Sequence, residues 1–380
     1  MDEEAYVLHL STSKNNLERR YILKSSKKII ICMLLIVVSI ISLIFINKNT
    51  NKTFKYKGST IALTVDGNSA TSFPASGKYN VTVNCNNAKG RWNPKTWKLE
   101  ITKITGTVTC DVSFNSNVSN LTTVVNNKAT RNENGKRYQG KNPDNYIWFN
   151  DGLWRIIGNI PVCLTSGCST TESRVKIIRN DSIGVMKYGE SSSTWMGSNI
   201  QNLLNTCYIG KKSSCDSYCY IYKTSAKGTC DYSSDGIDTV DYYGKMIEDV
   251  YFNVGAGGST YKTAASYYQQ EIATHATSAS KIGLMYASDW GYAIEGSRGV
   301  LGSSGSPEYL SDKNWLFSNG SEWMMSAYSS SYPIMALNDG YLWHNDAFKG
   351  YTVRPVLYLK SNVYVVSGTG SKVDPYRIGM

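Results

Sequence analysis

Histidine is almost missing from this chain: three in 380 residues, at His9, His275 and His344. A serine-hydrolase triad or a zinc hydrolase needs a histidine as base or ligand. Neither a Gly-x-Ser-x-Gly elbow nor a His-Glu-x-x-His stretch is present, and no cofactor is expected. His275 lies in a polar stretch and His344 near a hairpin end, so both read as solvated. Charge is scarce too. Charged residues make up 18% beside 32 glycines, which excludes a long coiled coil. No cysteine follows Cys230. What is abundant is apolar and aromatic: 41% hydrophobic residues, 28 Tyr and nine Trp. Such a chain buries cores and is not a disordered tail. Its length suits two or three domains and is far beyond a disulfide mini-protein.

Charge is missing altogether from Ile29 to Ile46, eighteen residues whose only polar side chains are Ser39 and Ser42. At about 1.5 Å per residue the run nearly matches a bilayer's hydrocarbon core. Six basic residues precede it (Lys14, Arg19, Arg20, Lys24, Lys27, Lys28) and four follow (Lys48, Lys52, Lys55, Lys57), a bias toward a cytoplasmic N-terminus. The following Asn47-Lys48-Asn49 offers no small-x-small cleavage site. The expectation is a cytoplasmic tail over 1–28, an uncleaved transmembrane signal anchor over 29–46, and the bulk of the chain outside the cell membrane. The formal charge of +11 then divides: the first 47 residues hold six basic and four acidic groups, leaving +9 outside. Scattered lysines that solvate the surface explain that excess better than an anionic partner, and nucleic acid is not expected.

From Phe54 to Phe114 apolar residues alternate with polar ones: Ile61, Leu63, Val65; Tyr79, Val81, Val83, Cys85; Val108, Cys110, Val112, Phe114. Period two means strands with one buried face, so 54–114 reads as a small β-sandwich acting as stalk. Cys85 and Cys110 fall in phase with their inward residues and are candidates for an inter-sheet disulfide. Residues 115–145 are polar and read as a linker. Within them Gly135–Asn142 nearly matches a phosphate loop, but Asn142 stands where Ser or Thr is required.

At Tyr146 the pattern changes to hairpins: Tyr146–Phe149 with Leu153–Ile157 around Asn150-Asp151-Gly152, Trp315–Phe317 with Trp323–Met325, and Pro333–Leu337 with Tyr341–Trp343. A few short helices accompany them, among them Thr263–Ile272 with Ala264, Ala265, Tyr268 and Ile272 on one side, so 146–380 reads as an α+β region. Tyr146–Gly158 (YIWFNDGLWRIIG), Arg174–Gly184 (RVKIIRNDSIG), Ile282–Ala293 (IGLMYASDWGYA), Asn314–Trp323 (NWLFSNGSEW), Tyr351–Ser361 (YTVRPVLYLKS) and Ser367–Ile378 (SGTGSKVDPYRI) occur in this order. Together they resemble a domain of unknown function common in surface proteins of gut Firmicutes. That resemblance implies a C-type-lectin-like fold of the formylglycine-generating-enzyme type, preceded by a signal anchor and a small β-domain. The acidic-Pro-Asn or Gln-Pro-Asp triplet of calcium-dependent lectins is absent. With no cysteine after Cys230, the reactive pair of the sulfatase-modifying enzymes is absent as well.

Eight cysteines lie outside the apolar run, an even number that suits disulfides. Beyond Cys85 and Cys110 these are Cys163, Cys168, Cys207, Cys215, Cys219 and Cys230. Their spacings match no zinc knuckle, and no histidine lies nearby in sequence. Asp231, Asp235, Asp238 and Asp241 mimic part of a calcium loop, but Tyr242 occupies the position of the bidentate glutamate. Aromatic residues crowd the last third. Trp290, Tyr292, Trp323, Tyr341 and Trp343, with Asn345 and Asp346, are the candidate ligand-binding set, although many aromatics in such a fold are core. The expected role is a non-catalytic, adhesin-like module for a glycan, a peptide or another host or cell-wall ligand. The alternative is an exported polysaccharide-cleaving enzyme with Asp289 and Glu295 as acid and base.

Overall fold

A computed structural model describes residues 60–215, 230–256, 258, 262–296, 300–301, 310–318, 320–337 and 340–380. The expected anchor over 29–46 lies outside the described residues, as do 54–59 of the expected β-domain. Among the described residues no helix is long and apolar enough to cross a membrane. The described chain is mostly β-sheet with a few short helices, and Thr60–Met380 forms one compact unit.

The alternating segments become strands. β1 (Thr60–Val65), β2 (Asn68–Ser69), β3 (Asn80–Asn86) and β6 (Thr109–Asn115) form a sheet in the order β2-β1-β6-β3. β4 (Lys89–Asn93) and β5 (Lys98–Thr102) make a separate hairpin. β6 shows why alternation predicts burial: Cys110, Val112 and Phe114 are buried while their neighbours are exposed. The ring of Trp92 meets Phe114 edge-on at 4.8 Å and Trp97 at 5.2 Å, which closes the core between the sheet and the hairpin. Cys85 and Cys110 are bonded to each other. They face one another on the adjacent antiparallel strands β3 and β6, so the bridge lies within one sheet rather than between two. Both side chains do point inward, as their phase required. Inward phase cannot distinguish a neighbouring strand from a facing sheet.

The stretch read as a linker is built into the fold. Leu121–Lys128 is a helix with Leu121 and Val125 buried, and β7 (Arg131–Asn132) and β8 (Lys136–Arg137) join the largest sheet. A few well-placed apolar residues dock a segment that average composition calls polar. The expected stalk is not set apart either. Tyr364 and Val366, close to the chain's end, complete the apolar core of the first β region, and the Tyr364 hydroxyl donates to the Gly77 carbonyl at 3.2 Å.

β9 (Tyr146–Phe149) and the long β10 (Gly152–Cys163) form the expected hairpin. Its turn is Asn150-Asp151, both with positive φ (49° and 54°), as a two-residue hairpin loop requires. β10 lies centrally beside β11 (Thr171–Arg179). A register shift falls between Ile156 and Gly158, where β8 approaches. A side chain at 158 would collide with the Lys136 carbonyl, which explains the glycine. β12 (Val185–Lys187) precedes the short helix Asn199–Asn202, capped by the Ser198 side chain. The helix Ala264–Glu271 follows, then β13 (Ile282–Gly283) and the helix Ala287–Ala293. β14 (Glu322–Ala327), β15 (Pro333–Ala336), β16 (Leu342–His344), β17 (Gly350–Thr352) and β18 (Val356–Tyr358) come next, and β19 (Tyr364–Ser367) pairs with β20 (Arg377–Gly379). The largest sheet runs β13-β18-β11-β10-β8-β7, and a five-stranded sheet runs β12-β17-β14-β15-β16. The hairpin expected between Trp315 and Trp323 does not form. β14 pairs instead with β15, whereas the hairpin expected of Pro333–Leu337 and Tyr341–Trp343 does form, as β15 with β16.

Candidate functional site

Asp289, one half of the acid–base pair considered from sequence, is buried at 1% exposure. It sits in the first turn of Ala287–Ala293, which drives it against the largest sheet. Lys176 of β11 reaches one oxygen at 2.5 Å and Arg137 of β8 the other at 2.7 Å, while the Tyr286 backbone N–H donates at 3.0 Å. Burial alone would raise this carboxyl, but the two cations outweigh it and hold the group below the usual carboxylate range. Next to it Glu271 is buried too. It accepts from the Ser288 backbone and hydroxyl and from the Ser326 hydroxyl, and desolvation pushes its carboxyl up. Glu295, the second sequence candidate, is exposed. The two proposed catalytic carboxylates therefore have opposite environments. One is locked in an ion triad without access to substrate.

The candidate aromatics also divide. Trp290, Tyr292 and Trp323 are core residues, each at most 1% exposed. The indole N–H of Trp323 donates to the Met186 carbonyl at 2.9 Å, and that of Trp290 to the Gly340 carbonyl at 3.3 Å. Tyr292 lies under the Arg137 guanidinium at 4.6 Å. Tyr341, Asn345 and Asp346 are half-buried, and the Asn345 amide donates to the Tyr351 hydroxyl at 2.6 Å. Trp343 remains at the surface, 41% exposed on the edge strand β16. Beside it His344 is stacked on the Tyr328 ring, centroids 3.8 Å apart and nearly parallel. Trp343 lies 5.0 Å from the same imidazole at 18°, and Tyr332 meets it edge-on at 5.5 Å. Phe348 is exposed a few residues on. The result is an aromatic shelf around an imidazole whose Nδ1 has no hydrogen-bond partner among the described residues. His344, expected to be solvated, is half-buried instead. Its place one residue after Trp343, on a strand that returns beside Tyr332, was the available signal.

A cavity of about 410 Å³ opens elsewhere, lined by Lys128, Thr130, the run 138–144 and Glu295. The phosphate-loop near-match thus contributes walls to a pocket, although it cradles no helix N-terminus. The hydroxyl of Tyr138, a residue only 3% exposed, has no partner among the described residues, and desolvation raises its ionisation well above that of a free phenol.

The calcium reading fails on geometry. Asp231 accepts from the Ser233 backbone and hydroxyl, Asp238 from Val240, and Asp241 from Tyr243 and Gly244. Asp235 pairs with Arg179 at 2.9 Å. Each carboxylate serves its own turn or a cation, and the four do not converge. The described cysteines are oxidised: Cys163 pairs with Cys168 and Cys207 with Cys215, and Cys230 is disulfide-bonded as well. Cys219 lies outside the described residues. One placement was invisible in sequence. His275 Nδ1 stands 3.4 Å from Cys163 Sγ, 112 residues away along the chain.

Comparison with protein-family models, with curated proteins and with solved structures finds no match.

Proposed function

We propose that the chain is a single-pass surface protein, anchored through residues 29–46 with its N-terminus inside. Its C-type-lectin-like distal part would serve as a non-catalytic binding module for a glycan, a peptide or another host or cell-wall ligand. The observation that carries this reading is the shelf of Trp343, His344, Tyr328 and Tyr332. Trp343 and Tyr332 are exposed and Tyr328 and His344 half-buried, and rings braced in this way offer flat apolar area at little entropic cost, which suits the C–H face of a sugar or a peptide side chain. Neighbouring Asn345 and Asp346 supply polar atoms. The alternative, a polysaccharide-cleaving enzyme using Asp289 and Glu295, draws no support, because Asp289 is occupied by Lys176 and Arg137.

The compact unit Thr60–Met380, applied to glycan and peptide arrays, tests the reading. Saturable binding is expected, and Trp343→Ala should weaken it by about 2 kcal/mol, roughly thirtyfold, as loss of a central aromatic anchor does. Binding that persists unchanged in Trp343→Ala, or none on either array, would sink the shelf as the site. Protease treatment of intact cells tests the topology separately: a distal part protected from digestion would contradict it.

A further inference from the structure

Cys163, Cys168 and His275 form the only group of three metal-ligating side chains among the described residues whose donor atoms lie within 4.8 Å of one another. The backbone holds two of them in register. The Tyr251 N–H donates to the Cys163 carbonyl at 2.9 Å, and on the other side of the same short segment the Ala276 N–H donates to the Phe252 carbonyl at 2.8 Å. Cys163 and His275 therefore flank Tyr251–Val254 from opposite sides, each bridged to it. Asn253 Oδ1 lies 2.9 Å from His275 Nδ1. An Nδ1–H donated to that amide oxygen fixes the tautomer and leaves the Nε2 lone pair free, 3.9 Å from Cys163 Sγ. Cys168 is the less buried of the two cysteines. It follows Gly167 in an exposed loop, and both residues have positive φ (71° and 58°).

We propose that this disulfide covers a redox-gated metal site, which opens on reduction to take a thiolate-seeking ion of the zinc class. An external dithiol supplies two electrons and two protons. The Cys163–Cys168 bond breaks, both sulfurs become thiols, and the donor closes to its own disulfide. The incoming dication then displaces the two thiol protons to solvent, binds the two thiolates, and takes the His275 Nε2 lone pair without releasing a proton. A fourth position stays open to water. Zinc bonds of about 2.3 Å to sulfur and about 2.0 Å to nitrogen set tetrahedral ligand atoms roughly 3.5–3.8 Å apart. The 3.9 Å from Cys163 Sγ to His275 Nε2 is already close to that spacing. The sulfurs have to separate by roughly 1.7 Å from bonding distance, and Cys168 sits in an exposed loop rather than in a strand. Reoxidation would expel the metal.

The test uses the full-length chain in detergent, reduced with a water-soluble phosphine under argon and freed of the phosphine. Zinc is titrated against a chromogenic chelator. The reduced protein should bind one more zinc than Cys163→Ser/Cys168→Ser, which serves as the baseline for the remaining cysteines. His275→Ala should weaken that additional site by about tenfold or more, and the oxidised protein should lack it. Equal zinc in reduced wild type and the double variant would overturn the proposal. So would an unchanged affinity in His275→Ala, which would reveal a bare dithiol. Cobalt in place of zinc separates a folding defect from a lost ligand, since a tetrahedral thiolate–imidazole spectrum requires all three side chains in place.

Discussion

The two strand-rich regions of this molecule are held together differently. Residues 60–115 rely on alternating apolar faces, an aromatic cluster around Trp92, and the Cys85–Cys110 bridge. Their ion pair Arg91–Glu100 stays at the surface. Residues 146–380, together with β8, bury charge outright: Arg137–Asp289–Lys176 and Arg354–Glu322 are all at most 4% exposed. Depth explains the difference. A thin pair of layers has no interior far enough from water to enclose an ion pair, and gains little apolar area per residue, so a covalent staple contributes much of its margin. The thicker region has space for buried ion pairs, in which Asp289 meets both Lys176 and Arg137 and Glu322 meets Arg354.

The largest expected effect strikes that network. Asp289→Asn leaves Lys176 and Arg137 buried without a counter-charge and should cost about 3–5 kcal/mol, read from denaturant unfolding of Thr60–Met380. The acid limb sharpens the point. Asp289 is depressed in the folded state, so its contribution is fully present above the unfolded value near pH 4 and is lost as pH falls through the lower folded value. Glu271, raised by burial, has the opposite sign: it favours the fold below its unfolded value, and that advantage fades as pH rises. If Asp289→Asn leaves stability unaltered at pH 7, the triad is not what holds this region.

The staple ranks next. Replacing Cys85 and Cys110 by Ala removes a bridge spanning 25 residues, which the chain-entropy account values at about 3 kcal/mol. The loss should fall on residues 60–115, seen as faster amide exchange in β3 and β6. Amides around Asp289 should keep their protection, unless the core shared through Tyr364 and Val366 couples the two regions. Uniform loss across both would break the comparison and make the chain from Thr60 one cooperative unit.

Local patterns were the legible part of the fold. Period-two alternation placed β1, β3 and β6, and Asn150-Asp151 placed the β9–β10 turn, because both signals depend only on neighbours in sequence. The helix Ala264–Glu271 was also legible, but its buried face is Ala264, Tyr267 and Glu271 rather than the expected Ala264, Ala265, Tyr268 and Ile272. Glu271 is drawn inward by Ser288 and Ser326, partners 17 and 55 residues away. The same limit governs the site. Whether Trp323 or Trp343 faces water depends on which strand covers it, and no local pattern states that. Nor could spacing reveal that His275 meets Cys163, because β10 and the segment Tyr251–Val254 first have to pair.

The smallest expected stability effect separates those two tryptophans. Trp323→Ala empties a fully buried site and breaks the bond to the Met186 carbonyl, at a cost of about 3–5 kcal/mol. Trp343→Ala removes a ring that is 41% exposed on an edge strand and should change stability by no more than about 0.5 kcal/mol. The pair therefore forms an internal control for any binding assay. Ligand loss in Trp323→Ala is expected to track unfolding. Loss in Trp343→Ala should appear in protein whose melting is unchanged, because its indole is largely exposed, stacked beside His344. Should Trp343→Ala destabilise as much as Trp323→Ala, the shelf belongs to the core and its claim as a ligand surface falls with it.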